Sequence, residues 1–182
     1  AEARAVMGHT RMTTQGSAKK NYNNHPFFGH VKEESFALAH NGVLWNDLEL
    51  RHAKHLPRTK VQTDSYIAVQ LLEQKKSLDF DSLRYMAEQV EGSFSFTVLD
   101  EQSALWIVKG DSPLSIAYFP ERGVYVYAST VEILNKALTR CGKQLGHRRT
   151  VEVEMGDLLK IDRRGHITRA TFDASKLCRP SW

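Results

Sequence analysis

Cysteine is scarce in this chain: only Cys141 and Cys178 occur among 182 residues. Neither has metal-type spacing to the other or to nearby histidines, and two cysteines in a chain of this length form no disulfide scaffold. Both are expected to be buried or incidental thiols. Long apolar runs are absent as well, none approaching the roughly 18 residues of a membrane span. The opening AEARAVMGH lacks the basic-then-apolar layout of a signal peptide. A cytoplasmic protein with no membrane partner is expected. Repeats, linkers and low-complexity tracts are missing too, so nothing divides residues 1–182 into more than one domain.

The formal net charge is +4, with basic groupings at His147, Arg148, Arg149 and at Arg163, Arg164. No aromatic-interleaved basic stripe or zinc-finger spacing accompanies them, so nucleic acid is not an expected partner. His9, His25, His30 and His40 match no compact ligand motif; neither a metal nor any other cofactor is expected.

What is present is an ordinary globular composition, 41% hydrophobic and 25% charged. Short runs rich in β-branched and aromatic residues predict strands at 4–9, 35–40, 93–99, 105–108, 114–119 and 124–128. Further runs at 151–153, 158–161 and 166–171 read the same way. Turn-type segments at 100–103, 110–113 and 120–123 join several of them, which favours antiparallel neighbours. Helical spacing appears at 48–55, 64–75 and 82–90, with Asp64 and Asp81 in N-cap positions. Ser129 with Glu132 reads as a capping box opening a helix through Leu138. Strands, then a block of helices, then hairpins with one more helix describe an α+β fold rather than an alternating βαβ sheet.

Residues suited to chemistry gather in the first third of the chain. The segment GHTRMTTQGSAKKNYNNHPFFG, Gly8 to Gly29, has loop composition crowded with hydroxyl, amide and imidazole groups. Arg11 could present its planar fork to a carboxylate, or could simply form a surface ion pair. His40, Asn41 and Gly42 end the strand FALAH in a polar turn. Asn41 and Gly42 suit a tight turn, and equally suit an oxyanion hole made of one side-chain amide and one closely approachable backbone N–H. Asp64 caps a helix in one reading and receives a cation in the other; paired with Arg11 it would complement a zwitterionic amino acid.

Taken in order, GHTRMTTQG, NNHPF, LAHNGVLWN, QTDSYIAVQLL, EGSFSFTVLDE, KGDSPLSIAYF, VYVYASTVEIL and MGDLLKI resemble the class II glutamine amidotransferases. The glutaminase domains of these enzymes are N-terminal nucleophile hydrolases, and the resemblance spans Val6 to Ile161. It implies a four-layer αββα sandwich of two mostly antiparallel sheets. It also implies a substrate, L-glutamine, hydrolysed to glutamate and ammonia. By resemblance Arg11 holds the α-carboxylate, Asp64 receives the α-ammonium, Asn41 and Gly42 form the oxyanion hole, Thr14 and Gln15 line the pocket, and His25 stands in the nearby loop.

The family attacks with a cysteine at the mature N-terminus, whose own α-amine is the base. The sequence begins Ala1, Glu2, Ala3, so that segment is expected to lie outside these residues, and residues 1–182 alone are expected to be inactive. Met12 stands where the family commonly has an aromatic residue, and Gln15 where histidine is frequent. With no synthase or isomerase domain before Trp182, the ammonia acceptor is expected on another polypeptide or not to exist. A catalytically silent amino-acid-binding relative, or an N-terminal nucleophile amidase acting on another amide, are the competing readings.

Overall fold

Two long, largely buried strands carry the architecture. A computed structural model describes residues 4–10, 15–17, 19–32, 34–141 and 145–178. Strand β2 (Glu34–Leu44) pairs antiparallel with β3 (Gly92–Asp100) from Phe36 opposite Asp100 to Leu44 opposite Gly92. Around that pair grows a six-stranded sheet in the order β1-β2-β3-β4-β8-β9, with β1 Phe27–Val31, β4 Leu105–Lys109, β8 Asp157–Ile161 and β9 Ile167–Thr171. A second sheet has the order β6-β5-β7, with β5 Ser115–Phe119, β6 Val124–Ala128 and β7 Arg149–Val151. All the pairings are antiparallel.

The layers follow from which side of each strand is apolar. In β4, Trp106 and Val108 join a core shared with helices α2 (Tyr66–Lys75) and α3 (Phe80–Gln89), whereas Ile107 turns to the other side. There Ile107 meets Ile116 of β5, Leu159 and Ile161 of β8, and the rings of Tyr125 and Tyr127 from β6. Ala117 and Phe119 of β5 face outward again, against Leu134 and Leu138 of α4 (Val131–Cys141). Helices, sheet, sheet, helix: three apolar seams make the four-layer αββα sandwich. Helix α2 is buried over six consecutive residues, Ile67 to Leu72, as befits an element packed against β1, α3 and the short α1 (Asp47–Ala53).

Several boundaries differ from those the sequence suggests. Residues 4–10 form no strand; they run beside Leu99, Leu105 and β6 without pairing, and Val6 is 80% exposed. An alternating run becomes a strand only when a partner meets it. Strand β1 falls partly inside the segment read as a loop, because Phe27, Gly29 and Val31 turn inward and Phe28 and His30 outward, a short alternation that the flanking polar residues obscure. Helix α3 is capped by Asp79 rather than Asp81: its side chain accepts from the Ser82 amide at 2.8 Å. Helix α4 is opened not by Ser129 but by Thr130, whose hydroxyl accepts from the Ile133 amide at 3.2 Å.

Burial works to raise the Asp79 carboxyl, but the hydrogen bonds from the Ser82 amide and from the Ser77 and Ser82 hydroxyls outweigh it and hold the group below its ordinary value. Asp79→Ala should therefore cost about 1 kcal/mol of stability, whereas Asp81→Ala should cost less than about 0.5 kcal/mol. Chemical denaturation of the two variants measures the difference, and equal losses would show that Asp79 is not the cap.

Candidate functional site

The turn expected at His40–Gly42 does not form. Strand β2 runs on to Leu44, because Gly42 adopts a φ of +139° and lets the backbone pass close over β3. A Cβ at this position would lie 1.9 Å from the Ser93 carbonyl oxygen, so only glycine fits. The strand's polar residues then divide by face. His40 shares the helix-facing side with Phe36, Leu38 and Leu44, while Ala39 and Asn41 face the second sheet.

Asn41 is held from below. The segment after β4 is pinned to β3 by Asp111, which accepts from the Phe94 amide at 2.9 Å, and by Ser112, whose carbonyl accepts from the Ser95 hydroxyl at 2.6 Å. That places the Pro113 carbonyl 3.3 Å from Asn41 Nδ2, which donates to it. One amide hydrogen of Asn41 is thus used for orientation, and the other makes no hydrogen bond among the described residues.

Asp64 is not a helix cap. It lies 3% exposed in the turn before α2, and its Oδ2 accepts from the Leu44 amide at 2.6 Å, tying that turn to the end of β2. Ser65 follows, its hydroxyl 2.8 Å from His40 Nδ1, and His40 Nε2 lies 3.3 Å from the Ser93 carbonyl. The His40 ring stacks on Phe96 at 4.6 Å. His25 stands between the other two imidazoles, 4.2 Å from His9 and 6.5 Å from His40 by ring centres. Among the described residues no three histidine, cysteine or acidic side chains are grouped to hold a metal ion.

Two cavities result. One of about 240 Å³ is lined by His9, Thr10, His25, Asn41, Gly42, Thr63 and Asp64, with His40, Val43 and Ser65 completing its wall. A larger one of about 440 Å³ lies towards the second sheet and shares His9, Thr10, His40 and Asn41 with the first. Of the residues singled out from sequence, His25, Asn41, Gly42 and Asp64 meet on the smaller cavity. Gln15 is exposed and does not line it, and Arg11 and Thr14 lie outside the described residues. Sequence reasoning passed over Thr63. Its hydroxyl is buried and has no hydrogen-bond partner among the described residues, which marks it as a group for a ligand to satisfy. Nothing in the spacing of VQTDS distinguishes it; the signal is burial.

Residues 9–136 match the sequence profile of the glutamine amidotransferase domain. The chain belongs to the class II glutamine amidotransferases. The glutamine–fructose-6-phosphate aminotransferase (isomerizing) of Lactococcus lactis subsp. lactis strain IL1403 is 33% identical over 120 residues, covering 62% of this chain and 19% of the relative. Its counterpart in Streptococcus pneumoniae serotype 4 is 34% identical over 125 residues, 63% of this chain and 20% of the relative. This amidotransferase chain thus spans about a fifth of the length of these relatives. Among solved structures, the glutamine phosphoribosylpyrophosphate amidotransferase of B. subtilis complexed with ADP and GMP superposes with a TM-score of 0.67 at 24% identity, over 86% of this chain and 33% of that one. The allosteric regulatory enzyme of purine biosynthesis gives 0.65 at 24%, over 83% and 31%. These two likenesses establish the shared fold.

The buried imidazole of the amidotransferase domain makes its stability acid-sensitive. Burial lowers His40 from 6.5 to about 4, against the opposing pull of Asp64 and the Ser93 carbonyl; His9 adds to the lowering and Asp111 opposes it. A base depressed on folding binds fewer protons in the native than in the unfolded state between those two values, so stability falls as pH drops from 6.5 towards 4. The loss attributable to His40 is on the order of 3 kcal/mol. Unfolding free energies at pH 7 and pH 4.5 should differ less in His40→Phe than in the parent; parallel pH dependences would refute the assignment.

Proposed function

We propose that this domain hydrolyses the carboxamide of L-glutamine to give glutamate and ammonia for transfer to an acceptor. The observation that carries the reading is the meeting of Asn41, Gly42 and Asp64 on one 240 Å³ cavity, in a chain that belongs to this family. The space suits an amino acid, with a buried carboxylate for its ammonium at one side and amide donors for its side-chain oxygen at the other.

In this reading a cysteine at the mature N-terminus, outside residues 1–182, attacks the carboxamide carbon. Its α-amine takes the thiol proton and delivers one to the leaving nitrogen. The negative charge that gathers on the carboxamide oxygen is met by the remaining Asn41 amide hydrogen and by the Gly42 N–H. The larger cavity, which reaches Asn41 from the side of the second sheet, is the route by which the thiol approaches. Ammonia departs, and water releases glutamate from the thioester. Arg11 binds the α-carboxylate, with Thr14 and His25 around it, and Thr63 offers its hydroxyl to the substrate.

The relatives are named for transferring an amino group to fructose 6-phosphate. Here the acceptor of the ammonia belongs to a part of the protein outside these residues, or to a separate synthase subunit.

Ammonia release by the full-length protein tests the assignments. Asn41→Ala should lower kcat about 100-fold or more with KM little changed, as loss of an oxyanion donor does. Arg11→Ala and Asp64→Ala should each raise KM for glutamine about tenfold or more. An Asn41→Ala enzyme with the parent's kcat would sink the oxyanion-hole reading, and unchanged KM in both other variants would remove the zwitterion clamp.

A further inference from the structure

Asp64 has two oxygens in unequal surroundings. Oδ2 is occupied by the Leu44 amide at 2.6 Å, whereas among the described residues Oδ1 has only the Ser65 hydroxyl in reach, at 3.5 Å. That hydroxyl has one proton to give. Its other neighbour, His40 Nδ1, is closer at 2.8 Å, and the state of the imidazole decides which of the two receives it.

The decision is made on the far side of the ring. His40 Nε2 faces the Ser93 carbonyl oxygen at 3.3 Å, and a carbonyl only accepts, so the ring proton belongs on Nε2. In a neutral ring Nδ1 is then an acceptor, and the Ser65 proton points at it. Asp64 Oδ1 keeps its lone pairs and its full charge towards the cavity. With Nδ1 unable to accept, the hydroxyl would swing to Oδ1 and spend on the protein the charge that should meet a ligand.

We propose that His40, acting through Ser65, is a positioning residue that holds Asp64 Oδ1 open for the primary ammonium of an amino-acid ligand and so determines specificity for α-amino over des-amino substrates. The inference rests on the assignment of Asp64 to the α-ammonium. His40 touches no reacting atom; it fixes a serine proton. Packing supports this role, since Phe96 stacked on the imidazole and the burial of His40 to 3% exposure leave the ring little freedom to flip.

The test compares L-glutamate with glutarate, the same dicarboxylate without the ammonium, by calorimetric titration of the full-length protein. The parent should bind L-glutamate about tenfold or more tighter than glutarate, the worth of a charge-assisted hydrogen bond. Asp64→Asn should bring that ratio close to one; if the ratio survives there, the ammonium assignment itself fails. His40→Phe keeps the stack on Phe96 but removes the acceptor, and should cut the ratio about fivefold or more while glutarate affinity stays within about twofold. Ser65→Ala should leave the ratio intact, and the double variant His40→Phe with Ser65→Ala should regain it, a rescue that a purely structural histidine would not give. An unchanged ratio in His40→Phe, or a double variant as poor as the single one, overturns the proposal. Should His40→Phe fail to fold, nitrogen–proton correlation spectra of the parent decide: a proton on His40 Nε2 supports the arrangement, and one on Nδ1 refutes it.

Discussion

Everything in this molecule hangs on the pairing of β2 with β3. The two strands run antiparallel without a break from Phe36 opposite Asp100 to Leu44 opposite Gly92, and each of their faces feeds a different core. Phe36, Leu38, Phe94 and Phe96 close against α2 and α3; Ala39, Asn41, Ser95 and Thr97 look towards the second sheet and line the larger cavity. A site whose groups all sit on or beside one strand pair inherits the rigidity of the sheet, which is what preorganised donors require. The close passage of Gly42 over Ser93 is the point of tightest constraint, because no side chain can be inserted there without separating the strands.

Much of this order is visible in the residues, and the parts that are not have physical causes. The α+β class and the antiparallel hairpins are readable from short apolar runs joined by turn-type segments, whereas the αββα layering is legible only through the family resemblance. In the fold it shows as the alternation of Ile116 on one seam with Ala117 and Phe119 on the next. Residues 4–9 have the same alternation and yet are no strand, since pairing needs a neighbour that hydropathy cannot supply. The turn expected at Asn41–Gly42 illustrates the converse. Two residues with turn-forming dihedral freedom sit inside a continuous strand because β3 provides a ladder on both sides of them. Of the candidate site, Asn41, Gly42, His25 and Asp64 could be named from sequence, but Thr63 and Ser65 could not. Hydroxyl residues are common, and only their burial beside a cavity gives them meaning.

Asp64 shows how two readings of one residue are separated. A cap would place its carboxylate on the amides of the following helical turn. Instead the side chain reaches back 20 residues to the Leu44 amide, so the bond joins two elements rather than finishing one. Helix α2 is thereby tied to the end of β2 at the cavity, and its buried flank, Ile67 to Leu72, locks that tie into the helix-side core. The helix pays for its missing side-chain cap in intrinsic stability, and packing against β1 and α3 makes up the difference.

His40 occupies a position that packing alone would give to an apolar residue. It stands in register with Phe36 and Leu38 on the face that looks into the core, and it is as buried as they are. A leucine there would need no partners and would not weaken the fold in acid, whereas the imidazole requires a hydroxyl on one nitrogen and a carbonyl on the other to be tolerated at all. Both are supplied, and from different elements: Ser93 from β3 and Ser65 from the turn before α2. The histidine is thus joined by hydrogen bonds at once to the strand beneath Gly42 and to the residue next to Asp64. Its physical effect is to make the geometry of the amide-donor side of the cavity and that of the carboxylate side interdependent, so that displacement of either strand or helix turn is felt at both.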